Sequence, residues 1–264
     1  MKVAGKVVVV TGGGQGIGAA LCTRFAKDGA HVVVLDINVE AGSAVAETIG
    51  GRFIRCDVGN RAQLDTAIET IEAEQGPIDL FCSNAAIFGG DGSTGLAETT
   101  EALWESAIDI NLMSHVWAAT KLVPLMEARG GGYFLQVLSA AGLITGPSTL
   151  SYTVTKHAGI GFAEWLSINH RHNRIGVSCL CPTAVATPQL ALAAANEEDE
   201  RIRAQLGLIQ TPEEVADITI RGLEEETFLI LPNERVGTSF LHKAQDYDRW
   251  LDHTARRVTT MRGA

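Results

Sequence analysis

At 264 residues, with 46% hydrophobic and 20% charged side chains, the chain has the make-up of an ordinary globular protein with one large core, and α/β folds of this length form one domain. A formal net charge of −10 argues against nucleic acid or an acidic membrane surface as partner, because both are bound through clustered Lys and Arg. Five cysteines without a Cys-x-x-Cys pair suit reduced thiols, Lys6 interrupts any apolar leader, and no run approaches the roughly 18 apolar residues of a membrane span, so a soluble cytoplasmic protein is expected.

Residues 6–11 contain four consecutive valines and read as a strand covered on both faces. Gly12-Gly13-Gly14-Gln15-Gly16-Ile17-Gly18 follows directly, and a helix then runs to about Asp28, where Gly29 fits its C-cap. Residues 31–35 form a second strand ending in Asp36. The pattern repeats with a helix at 39–49, a strand at 52–56, a helix at 61–74 and a strand at 78–83. A long helical region including 103–129 precedes a strand at 133–138, and a helix at 151–170 leads into a strand at 175–181. Thr211-Pro212-Glu213-Glu214 opens another helix, with Pro in its first turn, before a last strand at 228–231. This alternation predicts a doubly wound parallel sheet of about seven strands with helices on both faces. In the tail, Phe240, Ala244, Tyr247, Leu251 and Ala255 recur at helical spacing and predict one amphipathic helix over 239–258. Whether it packs on its own domain or covers a neighbouring subunit's active site is open at this stage. Two irregular segments, 88–96 and 183–200, follow strand ends, where such folds bind ligands, and are candidate pocket walls.

The glycine-rich turn between strand and helix presents backbone N–H groups and a positive helix N-terminus to a pyrophosphate. That makes Gly12, Gln15, Gly16, Ile17 and Gly18 candidate cofactor contacts, although the spacing is Gly-x-x-x-Gly-x-Gly. A carboxylate at Asp36 can accept both ribose hydroxyls of an adenosine and repel a 2′-phosphate, and neither Gln15 nor Ile37 offers a cation to such a phosphate. NAD(H) is therefore expected over NADP(H); the other reading of Asp36 is a cap on the next helix. Tyr152 and Lys156 stand four apart on a helix and face one volume. An ammonium about 4 Å from a phenol at an effective dielectric of about 20 contributes roughly 4 kcal/mol, or about three pKa units, which would make the phenol a base near neutral pH. Such a pair is most often an ordinary surface pair, so the rest of the chain has to decide.

Thr11-Gly12-x-x-x-Gly16-x-Gly18, Asn84-Ala85-Ala86, Asn111, Ser139 and Tyr152-x-x-x-Lys156, in this order, resemble the single-domain short-chain dehydrogenase/reductase family over about residues 4–232. The resemblance implies an NAD-dependent oxidoreductase interconverting a secondary alcohol and a ketone. It implies that Tyr152 is the general acid/base, that Lys156 lowers its pKa and holds the nicotinamide ribose, that Ser139 hydrogen-bonds the substrate oxygen and that Asn111 maintains a water-linked proton path. Asp57 and Val58 match the pair at the adenine ring, and Asn84 with Ala85 follows the fourth strand beside the adenosine ribose. Residues 181–187 match the family's Pro-Gly segment, with Pro182 and Val185 at the cofactor and Thr187 at the nicotinamide carboxamide. Ala86 and Thr183 stand where the family has glycines, and Leu231-Pro232-Asn233-Glu234 replaces its Asp-Gly-Gly.

The family also implies a homotetramer, or a homodimer, with helices 103–129 and 151–170 as contact surfaces. Leu143, Ile144 and the 88–96 segment suggest an apolar pocket for a cyclic, aromatic or steroid-like alcohol. Gln189, Leu190 and Leu192 either line it or pack a lid. His115 and Trp117 read as packing or subunit contacts, the acidic runs 197–200 and 224–226 as solvated faces, and His157, His170 and His172 lack metal-ligand spacing, so no metal is expected. Rival readings are a nucleotide-binding regulator that keeps the fold without turnover, which the intact Asn111, Ser139, Tyr152 and Lys156 disfavour, and an NAD-using isomerase or dehydratase, whose larger substrate lobe 264 residues do not readily accommodate.

Overall fold

The run of valines forms the middle of the sheet. In the structure, a computed structural model describing residues 1–88, 100–146, 150–188, 190 and 209–261, strand β1 (Val7–Thr11) is buried along its whole length. β2 (His31–Asp36) and β4 (Ile78–Ser83) flank it. With β3 (Arg52–Arg55), β5 (Gly132–Val137), β6 (Ile175–Leu180) and β7 (Leu229–Ile230) they make a seven-stranded sheet of order β3-β2-β1-β4-β5-β6-β7, parallel at each pairing. The predicted doubly wound α/β fold is observed, with strand ends displaced by about one residue.

Because side chains alternate along a strand, β1 feeds two cores. Val7 and Val9 join Leu35, Phe81 and Phe134 beneath α3 (Arg61–Glu74), α5 (Ser114–Ala128) and α6 (Leu150–His170). Val8 and Val10 join Leu80 and Leu135 beneath α1 (Gly16–Lys27), α2 (Val39–Ile49) and α7 (Pro212–Glu224). All five cysteines are free and buried, consistent with use as small hydrophobes. Among the described residues, no helix is long and apolar enough to cross a membrane. The strand order reverses between β1 and β4, which opens a crevice above their carboxyl ends.

Two helical expectations are corrected. The 103–129 region is not one helix: α4 (Glu101–Ile108) and α5 are joined by a π-helical turn at Asp109–Met113. The 239–258 helix is two helices, α8 (Arg235–Gln245) and α9 (Tyr247–Met261). They break at Asp246, which leaves the helical region (φ −150°, ψ 87°) and whose side chain accepts a hydrogen bond from Arg249 N at 3.0 Å, restarting the helix as an N-cap. The break rotates the two halves, so the face built on Phe240, Tyr247 and Leu251 stays exposed while Val236 and Lys243 are buried. Residues 89–99, Gln189, Leu192 and the acidic run 197–200 lie outside the described residues.

Candidate active site

Above the carboxyl ends of the central strands lies a cleft of about 760 Å³. Its walls include Gly12, Gln15, Gly16, Ile17 and Gly18 from the first turn, Asp36 and Ile37 after β2, and Asp57 and Val58 after β3. Asn84 and Ala85 after β4, Ser139 after β5, Tyr152 and Lys156 on α6, and Pro182, Val185 and Thr187 after β6 complete the set. Apart from Asn111, every residue singled out in the sequence as a catalytic or cofactor contact therefore faces one space, whereas Leu143, expected in the apolar pocket, is buried in the core instead.

The cofactor end is built by close backbone approaches. Gly12 has φ +61°, and a Cβ there would stand 2.9 Å from Ala85 Cα; a Cβ on Gly18 would lie 2.1 Å from the Gly12 carbonyl oxygen. Asn84 Nδ2 donates to Thr11 O at 2.8 Å and Gly12 O at 3.1 Å, while Thr11 Oγ1 accepts from Asn84 N at 2.9 Å and Ala85 N at 3.0 Å, so the ends of β1 and β4 are stitched together. Asn38, Asn60 and Thr211 cap α2, α3 and α7 with their side chains, but Gln15 makes no such bond to α1, whose first N–H groups are left facing the cleft. Asp36 accepts from Gly14 N and Asn38 N, each at 2.8 Å, one per oxygen. The helix cap of α2 is thus Asn38, and each Asp36 oxygen keeps a further lone pair to offer a ligand. Across the space, Ala186 N donates to Gln210 O at 2.9 Å and Gln210 N to Ala184 O at 3.2 Å, fixing the segment that carries Thr187. Thr183 Oγ1 is buried with no partner among the described residues. A glycine cradle that a Cβ would fill, an uncapped helix N-terminus and an orphaned wall hydroxyl fit a phosphate-bearing dinucleotide.

At the other end, Ser139 leaves β5 extended, and its Oγ accepts from Ala141 N at 3.1 Å, capping a short 3₁₀ turn at Ala140–Gly142. The Ser139 side chain also stands near enough to the Tyr152 phenol to favour its charged form. The Tyr152 ring stacks on Phe88 with centroids 4.4 Å apart and planes 23° apart. Lys156 is 1% exposed, donates to Val137 O at 3.1 Å, and holds its Nζ 5.4 Å from the centroid of the Tyr152 ring. Burial pushes the Tyr152 phenol up to about 12, against the opposite effect of Ser139, and pushes the Lys156 ammonium down to about 8. In the protein alone, burial works against the depression of the phenol expected from Lys156. Excluding water disfavours the charged form of each group.

The profile of a family described as short chain dehydrogenase matches residues 6–198. The chain belongs to the short-chain dehydrogenase family. It is 33% identical over 206 residues to momilactone A synthase of Oryza sativa, covering 77% of this chain and 74% of that protein. Over 188 residues it is 34% identical to a 3beta-hydroxysteroid dehydrogenase of Mediterraneibacter gnavus, covering 69% and 67%. Its fold matches a short chain dehydrogenase/reductase from Burkholderia phymatum, solved in complex with NAD, with TM-score 0.84, 25% identity and 94% and 96% coverage. The protein is thus an oxidoreductase of a family that acts on CH–OH groups.

Asn111 of this short-chain dehydrogenase sits in the π-helical turn, fully buried and behind the cleft wall. Its Oδ1 accepts from Ile87 N at 2.8 Å, and its Nδ2 donates to Ile87 O at 2.9 Å and Thr155 Oγ1 at 3.2 Å. The side chain ties the segment after β4, next to Phe88, to the helix carrying Tyr152. The extra residue of a π turn re-aims a side chain in this way, and no hydrophobic spacing announces it.

Sequence reasoning missed the part played by the tail. Lys243 is 6% exposed and its Nζ donates to Leu143 O at 2.8 Å, 5.4 Å from the Tyr247 ring centroid and 5.1 Å from that of Trp250. This cation–π clasp fastens α8 and α9 to the segment after Ser139. Ser239, Trp250, Thr254 and Arg257 then line the cleft, the last three at helical spacing on one face of α9. Their spacing was the available signal, hidden by the more apolar stripe beside it. Leu190 and Ile144 line the same cleft. His115 is buried, as packing predicts, with Nδ1 against Gln136 Oε1; burial, and next the nearby Lys156 charge, push it down to about 3. Among the described residues, no group of three His, Cys, Asp or Glu side chains could hold a metal ion.

Proposed function

We propose that this short-chain dehydrogenase interconverts a secondary alcohol and a ketone with NAD(H). The observation that carries the reading is the Ser139–Tyr152–Lys156 group at one end of a cleft whose other end is the glycine cradle and Asp36. The nicotinamide, when bound, supplies hydride chemistry, and the protein has to move the hydroxyl proton and hold the substrate oxygen. Tyr152 takes that proton in oxidation and returns it in reduction, and Ser139 donates a hydrogen bond to the substrate oxygen. Lys156 favours the phenolate and holds the nicotinamide ribose. Asn111 keeps its place in a water-linked proton path, with its side chain setting the wall around it. Asp36, on the cleft wall without a neighbouring cation at Gln15 or Ile37, favours NAD(H) over NADP(H). Ile144, Phe88, Leu190 and Trp250 give the substrate end an apolar lining, and together with the likeness to a hydroxysteroid dehydrogenase they support a cyclic or aromatic alcohol.

Exposed Val154, Trp165 and Ile168 on α6 and Leu125 on α5 support a homotetramer, or a homodimer, through those helices. Five free buried thiols suit a cytoplasmic protein. Following NADH formation over a panel of cyclic secondary alcohols tests the activity. Tyr152→Phe should lower kcat by roughly 10²-fold or more, and a variant running at the wild-type rate would sink the mechanism. The wild type should bind NADH more tightly than NADPH, and Asp36→Ala should narrow that gap; the opposite preference in the wild type overturns the cofactor assignment.

A further inference from the structure

Of the charged side chains that line the cleft, Asp36 and Asp57 lie after β2 and β3 at the adenosine end, and Lys156 donates to Val137 O beside Tyr152. Arg257 is the fourth, and among the described residues it has no ion pair and no hydrogen bond. The Lys243–Leu143 hydrogen bond, with the Tyr247 and Trp250 rings on the same ammonium, fixes where the helix that carries it begins. Leu143 is followed by Ile144, Thr145 and Gly146, all in the cleft wall after Ser139, so the clasp brings the first turn of α9, with Trp250, to the catalytic end. On the cleft face of α9, Trp250 offers an aromatic surface, Thr254 a hydroxyl and Arg257, one turn further on, a guanidinium. We propose that the substrate has an apolar body, received by Trp250 and Ile144, and an anionic group remote from the reacting carbon, received by Arg257.

A guanidinium presents a planar fork of donors that matches a carboxylate in two parallel hydrogen bonds, and a wholly neutral occupant would leave that fork to water. The cofactor's phosphates do not call for it, since the α1 N-terminus and the glycine turn supply their donors at the opposite end. In a chain of net charge −10, a cation without an acidic partner at the substrate end also selects anions locally against the field of the whole protein.

The proposal rests on the alcohol–ketone reading, and a binding measurement separates the two. Matched hydroxy acids and their methyl esters, on a cyclohexane and on a steroid frame, are titrated into the enzyme–NADH complex, where no turnover can occur. The acid on at least one frame should bind roughly tenfold or more tighter than its ester, by a preference that shrinks with added salt because Arg257 is exposed. Arg257→Gln should bring acid and ester to within about threefold, Arg257→Lys should keep part of the preference, and both should bind NADH as the wild type does. Acids binding no tighter than esters on both frames, or a preference that survives in Arg257→Gln, overturns the proposal. So does an Arg257→Gln variant that loses NADH affinity while keeping the preference. If the acid preference is present and depends on Arg257 but NAD is never reduced by these alcohols, anion recognition stands and the alcohol–ketone reading fails.

Discussion

Replacing Lys156 by Met keeps the length of the side chain and removes its charge, which isolates the electrostatic half of the Tyr152–Lys156 pair. With Nζ 5.4 Å from the ring centroid, and at an effective dielectric of about 20, a unit charge stabilises the phenolate by about 3 kcal/mol, or about two pH units. The sign follows from the direction of each shift. Burial raises the phenol to about 12 and lowers the ammonium to about 8, so Lys156 is charged, and supports the phenolate, below about pH 8 and loses that effect above it. The two groups titrate as a coupled pair, and kinetics reports values belonging to the pair. In Lys156→Met, at a fixed pH below about 8 where the wild-type Lys156 is charged, kcat/KM for alcohol oxidation should therefore fall roughly 100-fold, and the rising limb should move to higher pH by up to about two units. Lys156→Arg retains a cation and should leave the limb within about half a unit. The assay is an initial-rate pH profile at saturating cofactor, with cofactor affinity measured separately at each pH. A Lys156→Met limb that coincides with the wild type's would refute the assignment of Lys156 as the group that makes Tyr152 a base.

Two further outcomes test the packing around this site. His115, neutral when folded and pushed down to about 3, is protonated in the unfolded chain below its ordinary value of 6.5; stability should fall by about 1.4 kcal/mol per pH unit from pH 6.5 downward, about 2 kcal/mol by pH 5. Denaturant melts at the two pH values should show this loss and show it much reduced in His115→Asn, whereas equal slopes would exclude His115 as its source. Gly18→Ala puts a Cβ 2.1 Å from the Gly12 carbonyl and should destabilise by about 1–3 kcal/mol while weakening cofactor binding, but Gly161→Ala, with no atom within 4 Å, should stabilise helix α6 by up to about 1 kcal/mol. Thermal melts that rank these two variants the other way would contradict the close approach of turn and helix.

Much of the site was legible because its parts are specified by short-range spacing. The valine run, the glycine turn and Asp36 lie within one strand–turn–helix–strand unit, and Tyr152 and Lys156 within one helical turn, so local geometry alone decides which way they point. The ordered motifs then carried the fold and the family. What stayed hidden depends on partners distant in sequence or on water that the folded chain excludes. The stacking of Phe88 on Tyr152 and the anchoring of Ile87 by Asn111 join the segment after β4 to α6 and the π-helical turn, and no periodicity marks either contact. The tail reads as a single amphipathic helix with its packing partner open, and the structure instead breaks it at Asp246 and anchors it through the Lys243–Leu143 bond, which spans 100 residues and outweighs the hydrophobic stripe.

The sequence by itself determined the sheet, the glycine cradle and the pairing of a tyrosine with a lysine, since strand alternation and helical pitch follow from local backbone geometry. Only the tertiary structure decided that burial raises that phenol and lowers that ammonium, and that α9 closes the substrate end with Arg257. Both depend on which surfaces are stripped of water, and that is fixed by packing between elements remote from one another in the chain.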